Sequence, residues 1–139
     1  MDIKKLVTQI IKKYKTNNPF GLAEALGIEV LYENLGSING YYTKILRCKF
    51  IHVNYNLDET RQRYTIAHEL GHALLHPNAN TPFLREKTLF SVDKLERQAN
   101  AFAVELLMPD SLIQQYEGYT IHNIADIVGI PNGLEVLKK

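Results

Sequence analysis

The sequence has only one cysteine, Cys48, among its 139 residues. A single cysteine cannot form a disulfide within the chain, and this scarcity is typical of proteins that stay in a reducing compartment. We therefore predict that the protein works in the cytoplasm. The residue type also suits a small buried position, so we predict that Cys48 lies inside a strand of the core.

Long apolar runs and an excess of one charge are also missing. Charged residues interrupt every apolar stretch well before the ~18 residues of a membrane-spanning helix, so we predict no membrane contact. Sixteen Lys and Arg against fifteen Asp and Glu leave a net charge of +1, which does not favour direct binding to nucleic acid. Residues 121–131 resemble half of a helix-turn-helix, but this pattern is common and the segment has few cations.

The length and composition of the sequence are those of one folded domain. The chain has 45% hydrophobic and 22% charged residues, which is ordinary for a globular protein, and we assign residues 1–139 to a single domain. Apolar periodicity and capping residues predict an α+β fold, with several helices packed on a small three-stranded, mainly antiparallel sheet. The predicted strands are 28–32, 41–43 and 46–53, and the two long helices run from Asn56 or Asp58 to His76 and from Ser91 to Met108.

The first of these long helices carries the pattern His68-Glu69-Leu70-Gly71-His72. Two histidines four residues apart lie on one helix face, about 6 Å from each other, and can bind the same zinc ion. Glu69 lies beside such an ion and can accept a proton from water whose pKa the metal lowers. The pattern therefore predicts one zinc ion held by His68 and His72, with Glu69 as the general base.

A catalytic zinc ion needs a third protein ligand. His76 lies one turn beyond His72, but His68 and His76 are about 12 Å apart along a straight helix. We therefore reject His76 as a ligand and interpret it as a partly exposed residue of the last turn.

Glu96 is a better third ligand. It borders the apolar stripe of the second long helix, and the small residues Ala99 and Ala103 allow another helix to approach it closely. The alternative is a capping box, in which Asp93 caps the helix and Glu96 completes the motif three residues later. The residue pattern leaves both possibilities open.

Two sequence blocks resemble the ImmA/IrrE family of bacterial metallo-endopeptidases. The first is Arg61-x-Arg63-Tyr-Thr-Ile-Ala-His-Glu-Leu-Gly-His-Ala-Leu-Leu-His76, and the second is Glu96-Arg97-x-Ala99-Asn100-x-Phe102-Ala103 followed by Leu106-Leu-Met-Pro109. The family usually has Glu where this chain has Gln98, a change that we do not expect to affect the metal.

The resemblance implies a zincin-like peptidase domain with His68, His72 and Glu96 as zinc ligands and Glu69 as the general base. It also implies a substrate class, because the family resembles anti-repressors of phages and mobile elements that cleave helix-turn-helix transcriptional repressors. The partner expected from the resemblance is therefore a repressor protein.

Several questions stay open at this stage. Tyr64, Tyr119 and His122 are all available to stabilise an oxyanion, and an edge strand near Tyr41 and Tyr42 could align an extended substrate. Two other functions also fit the sequence: a repressor-binding or toxin–antitoxin module without catalysis, and a zinc-dependent hydrolase of small amides. The sequence does not indicate the oligomeric state.

Overall fold

The computed structural model describes the backbone of residues 1–82 and 89–139. Six helices and three strands follow one another in the order ααβββαααα, and the predicted α+β fold is confirmed. The helices are α1 (Ile3–Tyr14), α2 (Pro19–Ala25), α3 (Glu59–Leu75), α4 (Leu89–Leu107), α5 (Asp110–Gln115) and α6 (Ile121–Val128). The strands are β1 (Glu29–Glu33), β2 (Gly40–Ile45) and β3 (Cys48–Asn54). A 3₁₀ turn covers Leu134–Leu137.

Side-chain caps determine where the helices begin. Asp58 is the N-cap of α3, since its carboxylate accepts a hydrogen bond from the Arg61 backbone N–H at 2.8 Å; the sequence had left Asn56 and Asp58 as alternatives. Asp2 caps α1 and Thr120 caps α6 in the same way. Such caps satisfy backbone N–H groups that have no partner within the helix.

The sheet has the strand order β1-β3-β2. β2 and β3 form an antiparallel hairpin, whereas β1 pairs with β3 in parallel. The hairpin turn lies at residues 46 and 47, where Leu46 adopts a left-handed φ of 57°. Cys48 pairs with Ile45 beside this turn and is exposed, so the prediction of a buried cysteine is wrong.

The core lies between the inner face of the sheet and the long helices. Packed in this layer are fully buried side chains from β2, β3, α3 and α4, among them Tyr42, Ile51, Val53, Ile66, Leu70, Phe102 and Leu106. α3 contacts α2, α4, β2 and β3, so it is the central element of the fold. Among the described residues, no helix is both long enough and apolar enough to cross a membrane.

Two predictions for the second long helix can be compared only in part. α4 begins before Asp93, which therefore lies inside the helix rather than at its N-cap, and the capping-box interpretation of Glu96 is wrong. Ser91 also lies inside α4, so the prediction that it caps this helix is wrong. Residues 83–87 of the predicted polar loop and the side chain of Val92 lie outside the described residues.

α3 and α4 approach each other closely at Gly71. A Cβ atom added there would lie 3.0 Å from the Ala99 Cα and 3.1 Å from the Phe102 Cβ. Neither atom lies at the far end of a flexible side chain, so a Cβ at this position would push the two helices apart by a few tenths of an ångström.

We predict that Gly71→Ala destabilises the protein relative to Gly21→Ala. Both replacements gain up to about 1 kcal/mol of helix propensity, and a Cβ at Gly21 has open space around it. Overpacking at Gly71 should add a cost of about 1–3 kcal/mol. Urea unfolding with a chelator present would measure the difference in free energy of unfolding, and equal stability of the two variants would contradict the proposed contact.

Candidate metal centre

The close contact between α3 and α4 brings together three side chains from two separate sequence blocks. His68 and His72 lie on one face of α3, with their ring centroids 4.9 Å apart. Glu96 reaches them from α4: its Oε2 lies 2.9 Å from the His68 Nε2, and its Oε1 lies 3.1 Å from the His72 Nε2. The structure thus places the three predicted ligands at one point.

These three side chains fit a divalent metal ion. Each offers one ligand atom, and the three atoms all lie within 4.8 Å of one another. Tetrahedral zinc with bonds of about 2.1 Å would set its ligand atoms about 3.4 Å apart. Two imidazoles and one carboxylate are also a known ligand set of catalytic zinc sites, which leave a fourth position for water or substrate.

Glu69 is buried next to this cluster. Its side chain is 5% exposed, and its Oε1 has no hydrogen-bond partner among the described residues. Its Oε2 lies 3.9 Å from the His68 Nε2. Because burial disfavours the charged form, the pKa of Glu69 rises to about 7 among its protein neighbours. A hydrogen bond with Thr81 lowers this pKa only in part. A buried carboxylate with one oxygen that has no partner among the described residues is costly, which points to a role in chemistry rather than in packing.

The pKa values of the three proposed ligands also differ from their ordinary values, but not all in the same direction. Burial opposes the charge on Glu96, but hydrogen bonds with both imidazoles outweigh it and hold the pKa of Glu96 well below its usual range. Burial also disfavours the charged form of His68, yet Glu96 and Glu69 raise the pKa of His68. Burial dominates at His72 and lowers its pKa. The carboxylate of Glu96 is thus ionised, as a metal ligand must be.

Tyr64 is the only one of the three proposed oxyanion residues that contacts the cluster in the described part of the chain. Its ring lies 6.1 Å from the His68 ring, and its hydroxyl donates a hydrogen bond to the Asn100 Oδ1 at 2.8 Å. Burial and the nearby carboxylates raise the pKa of Tyr64 well above its usual value, so the phenol keeps its proton. Tyr119 packs against Tyr116, and His122 pairs with Asp126 and Glu135.

His76 and Gln98 form contacts that the sequence interpretation missed. His76 is not among the clustered ligands, which agrees with its rejection, but its Nδ1 lies 3.1 Å from the His72 Nδ1. Its Nε2 lies 2.7 Å from the Gln98 Oε1. Gln98 is therefore linked through His76 to a proposed ligand. The expectation that Gln at this position leaves the metal unaffected stays a prediction. The place of Gln98 in the second sequence block was the available signal.

The outer edge of β2 is already engaged next to this site. The Tyr42 backbone N–H donates to the Thr81 hydroxyl at 2.7 Å, and that hydroxyl donates to the Tyr42 carbonyl at 3.2 Å. The Lys44 backbone N–H donates to the Asn80 Oδ1 at 2.7 Å. β2 is an edge strand as predicted, but in this arrangement a substrate strand cannot pair with Tyr42 until Thr81 moves.

Comparison with known families matches residues 23–135 to the peptidase M78 family described as the IrrE N-terminal-like domain. The chain belongs to this family. It is 50% identical over 139 residues to "Uncharacterized immunity region protein 2" of Bacillus phage phi105, covering 98% of this chain and 88% of that protein. It is also 35% identical over 136 residues to "Metallopeptidase ImmA" of Bacillus subtilis strain 168, covering 94% and 79%.

Membership in this metallopeptidase family confirms the resemblance found in the sequence. A metal ion is implied by the family, and the cluster of His68, His72 and Glu96 offers a place for it. The residues that face one another across α3 and α4 lie within the matched range.

We predict that Glu69→Gln removes a pH-dependent loss of stability. The folded-state pKa of Glu69, about 7, lies above its ordinary value of 4.5. The folded state therefore binds more protons between these values, and stability falls as the pH rises through this window. From pH 5 to pH 8, Glu69→Gln should gain about 2–3 kcal/mol relative to the wild type.

Urea unfolding of both proteins at several pH values, with a chelator present, would measure this gain. Glu59→Gln is the matched control, because Glu59 is an exposed carboxylate on the same helix. A constant difference between Glu69→Gln and the wild type across the pH range would contradict the raised pKa.

Proposed function

We propose that the protein is a zinc-dependent endopeptidase that cleaves a helix-turn-helix transcriptional repressor in the cytoplasm. The observation that carries the proposal is the position of Glu69. It is a buried carboxylate, one oxygen of which has no hydrogen-bond partner in the described part of the chain, and it lies beside two histidines and a second glutamate. A purely structural metal site has no need for a carboxylate there, whereas peptide hydrolysis does.

His68, His72 and Glu96 would hold one zinc ion through their Nε2 atoms and a carboxylate oxygen. α3 and α4 bring these atoms together, and Glu96 contacts both rings. A bound zinc ion supplies a Lewis acid, which lowers the pKa of water and polarises the carbonyl group of a peptide.

Glu69 acts as the general base and then as the general acid. Its carboxylate accepts a proton from the attacking water and passes that proton to the amine that leaves. A pKa near 7 suits both transfers, because the group can be deprotonated or protonated near neutral pH. Tyr64 keeps its proton and its ring lies near His68. It would stabilise the developing oxyanion by exchanging its hydrogen bond with Asn100 for one to that oxygen.

The substrate class is supported by the family and by the relatives. The family resemblance implies cleavage of repressors, and one relative carries the name of a phage immunity region protein at 50% identity. The other is named a metallopeptidase, which supports catalysis over a binding function alone. A macromolecular substrate also agrees with the edge strand beside the site, since extended peptides bind to sheet edges.

We predict that Glu69→Gln lowers the cleavage rate of the repressor by about 10²- to 10⁴-fold while zinc remains bound. The substrate to be tested is a helix-turn-helix repressor encoded next to the gene of this protein, and mass spectrometry of the fragments gives both the rate and the cleaved bond. Glu59→Gln should cleave at the wild-type rate, and a chelator should stop cleavage by the wild type.

The same assay separates the proposed activity from its alternatives. Full cleavage by Glu69→Gln would exclude Glu69 as the base. Stoichiometric binding of the repressor by the wild type, with no fragments in the presence of zinc, would favour a binding module and contradict the endopeptidase. Hydrolysis of small amides alone would contradict the repressor as substrate.

We predict that Glu96→Ala weakens zinc binding by more than the ~100-fold that loss of an outer-shell partner costs. The variant loses one ligand atom and leaves the two imidazoles without their common acceptor. Titration of zinc against a competing chromophoric chelator measures the dissociation constant, with Glu59→Ala as the control. Wild-type zinc affinity in Glu96→Ala would remove Glu96 from the ligand set.

A further inference from the structure

Three side-chain contacts connect Glu96, His72, His76 and Gln98 in a row, and the last two extend outward from the proposed zinc ligand His72. The His72 Nε2 faces Glu96, and the His72 Nδ1 faces the Nδ1 of His76 at 3.1 Å. The Nε2 of His76 faces the Oε1 of Gln98 at 2.7 Å. From His72, the row starts on α3, passes through the residue that follows this helix, and ends on α4.

His76 can reach His72 because the helix ends there. Its backbone has left the helical conformation, with φ −134° and ψ 57°, while its N–H still donates to the His72 carbonyl. The two ring centroids lie 5.2 Å apart. The fixed backbone position explains why a histidine that is too far along the helix to bind the ion still contacts one of its ligands.

The polarity of this row follows from one proton per neutral imidazole. The hydrogen bond from the His72 Nε2 to Glu96 uses a proton that a zinc ion would replace. With zinc bound, the Nε2 of His72 has no proton, so its Nδ1 carries the proton and donates a hydrogen bond to His76. The Nδ1 of His76 must then be the acceptor, and the His76 proton must be on its Nε2. That N–H needs an acceptor, which the Oε1 of Gln98 provides.

We propose that Gln98 and His76 are positioning residues that support the zinc-binding tautomer of His72. The inference rests on the proposed function, since it presupposes that zinc binds at His72. Gln98 acts through its amide oxygen, which accepts a hydrogen bond from the His76 Nε2. A carboxylate at this position would do the same, whereas an apolar side chain would leave the His76 N–H without this acceptor. Partners of this kind typically change metal affinity by about 10- to 100-fold.

The test compares zinc affinities of Gln98→Met, Gln98→Glu and the wild type by competition with a chelator. We expect Gln98→Met to bind zinc about 10- to 100-fold more weakly, and Gln98→Glu to bind at least as tightly as the wild type. Gln115→Met, the same change at an exposed position of α5, should have wild-type affinity. Equal affinity of Gln98→Met and the wild type, or an equal loss in Gln98→Glu, would overturn the proposal.

A spectroscopic measurement tests the tautomers directly. Long-range ¹H–¹⁵N correlation spectra of the zinc-loaded protein distinguish the two neutral forms of each histidine. We expect His72 protonated at Nδ1 and His76 protonated at Nε2; His76 protonated at Nδ1 would overturn the proposal. A wild type that binds no zinc would overturn the proposed function as well, whereas normal zinc binding and cleavage by Gln98→Met would overturn the positioning role alone.

Discussion

The close contact of α3 with α4 is the constraint on which the site depends. Gly71 lies between the two histidines of its motif and allows the backbone at Ala99 to approach, which brings Glu96 within 3.1 Å of His72. One residue of the motif thus has a packing function, and its neighbours have a chemical one. The geometry of the metal centre is therefore determined by helix packing, whose precision comes from close-packed, rigid surfaces.

Glu96 and Glu69 have pKa values that their surroundings shift in opposite directions. Glu96 receives hydrogen bonds from two imidazoles, so its charge is stabilised and its pKa is lowered. Glu69 is buried without such partners, so its pKa is raised to about 7. A separation of this kind assigns the roles of ligand and proton carrier, since the first must stay ionised and the second must exchange protons near neutral pH.

The order of helices and strands and most of the site residues could be predicted from the sequence, because these features depend on local patterns. Helical periodicity predicted α3, and the spacing of His68 and His72 predicted that they share a face. Glu96 was different: its role depended on a contact between separate helices, so the pattern alone left a capping box equally possible. The contact of His76 with Gln98 could not be predicted from spacing, because it arises where the chain leaves the helix after Leu75.

The segment that follows α3 covers the edge of β2. The Thr81 hydroxyl satisfies both outward backbone groups of Tyr42, and Asn80 satisfies that of Lys44, so this segment makes the hydrogen bonds that an added strand would make. A substrate strand that displaces this segment would replace these hydrogen bonds by similar ones. The exchange of hydrogen bonds therefore adds little to the free energy of substrate binding. The edge of β2 can therefore be protected from unspecific pairing and still accept an extended polypeptide, which reconciles a covered edge with the activity proposed for the site.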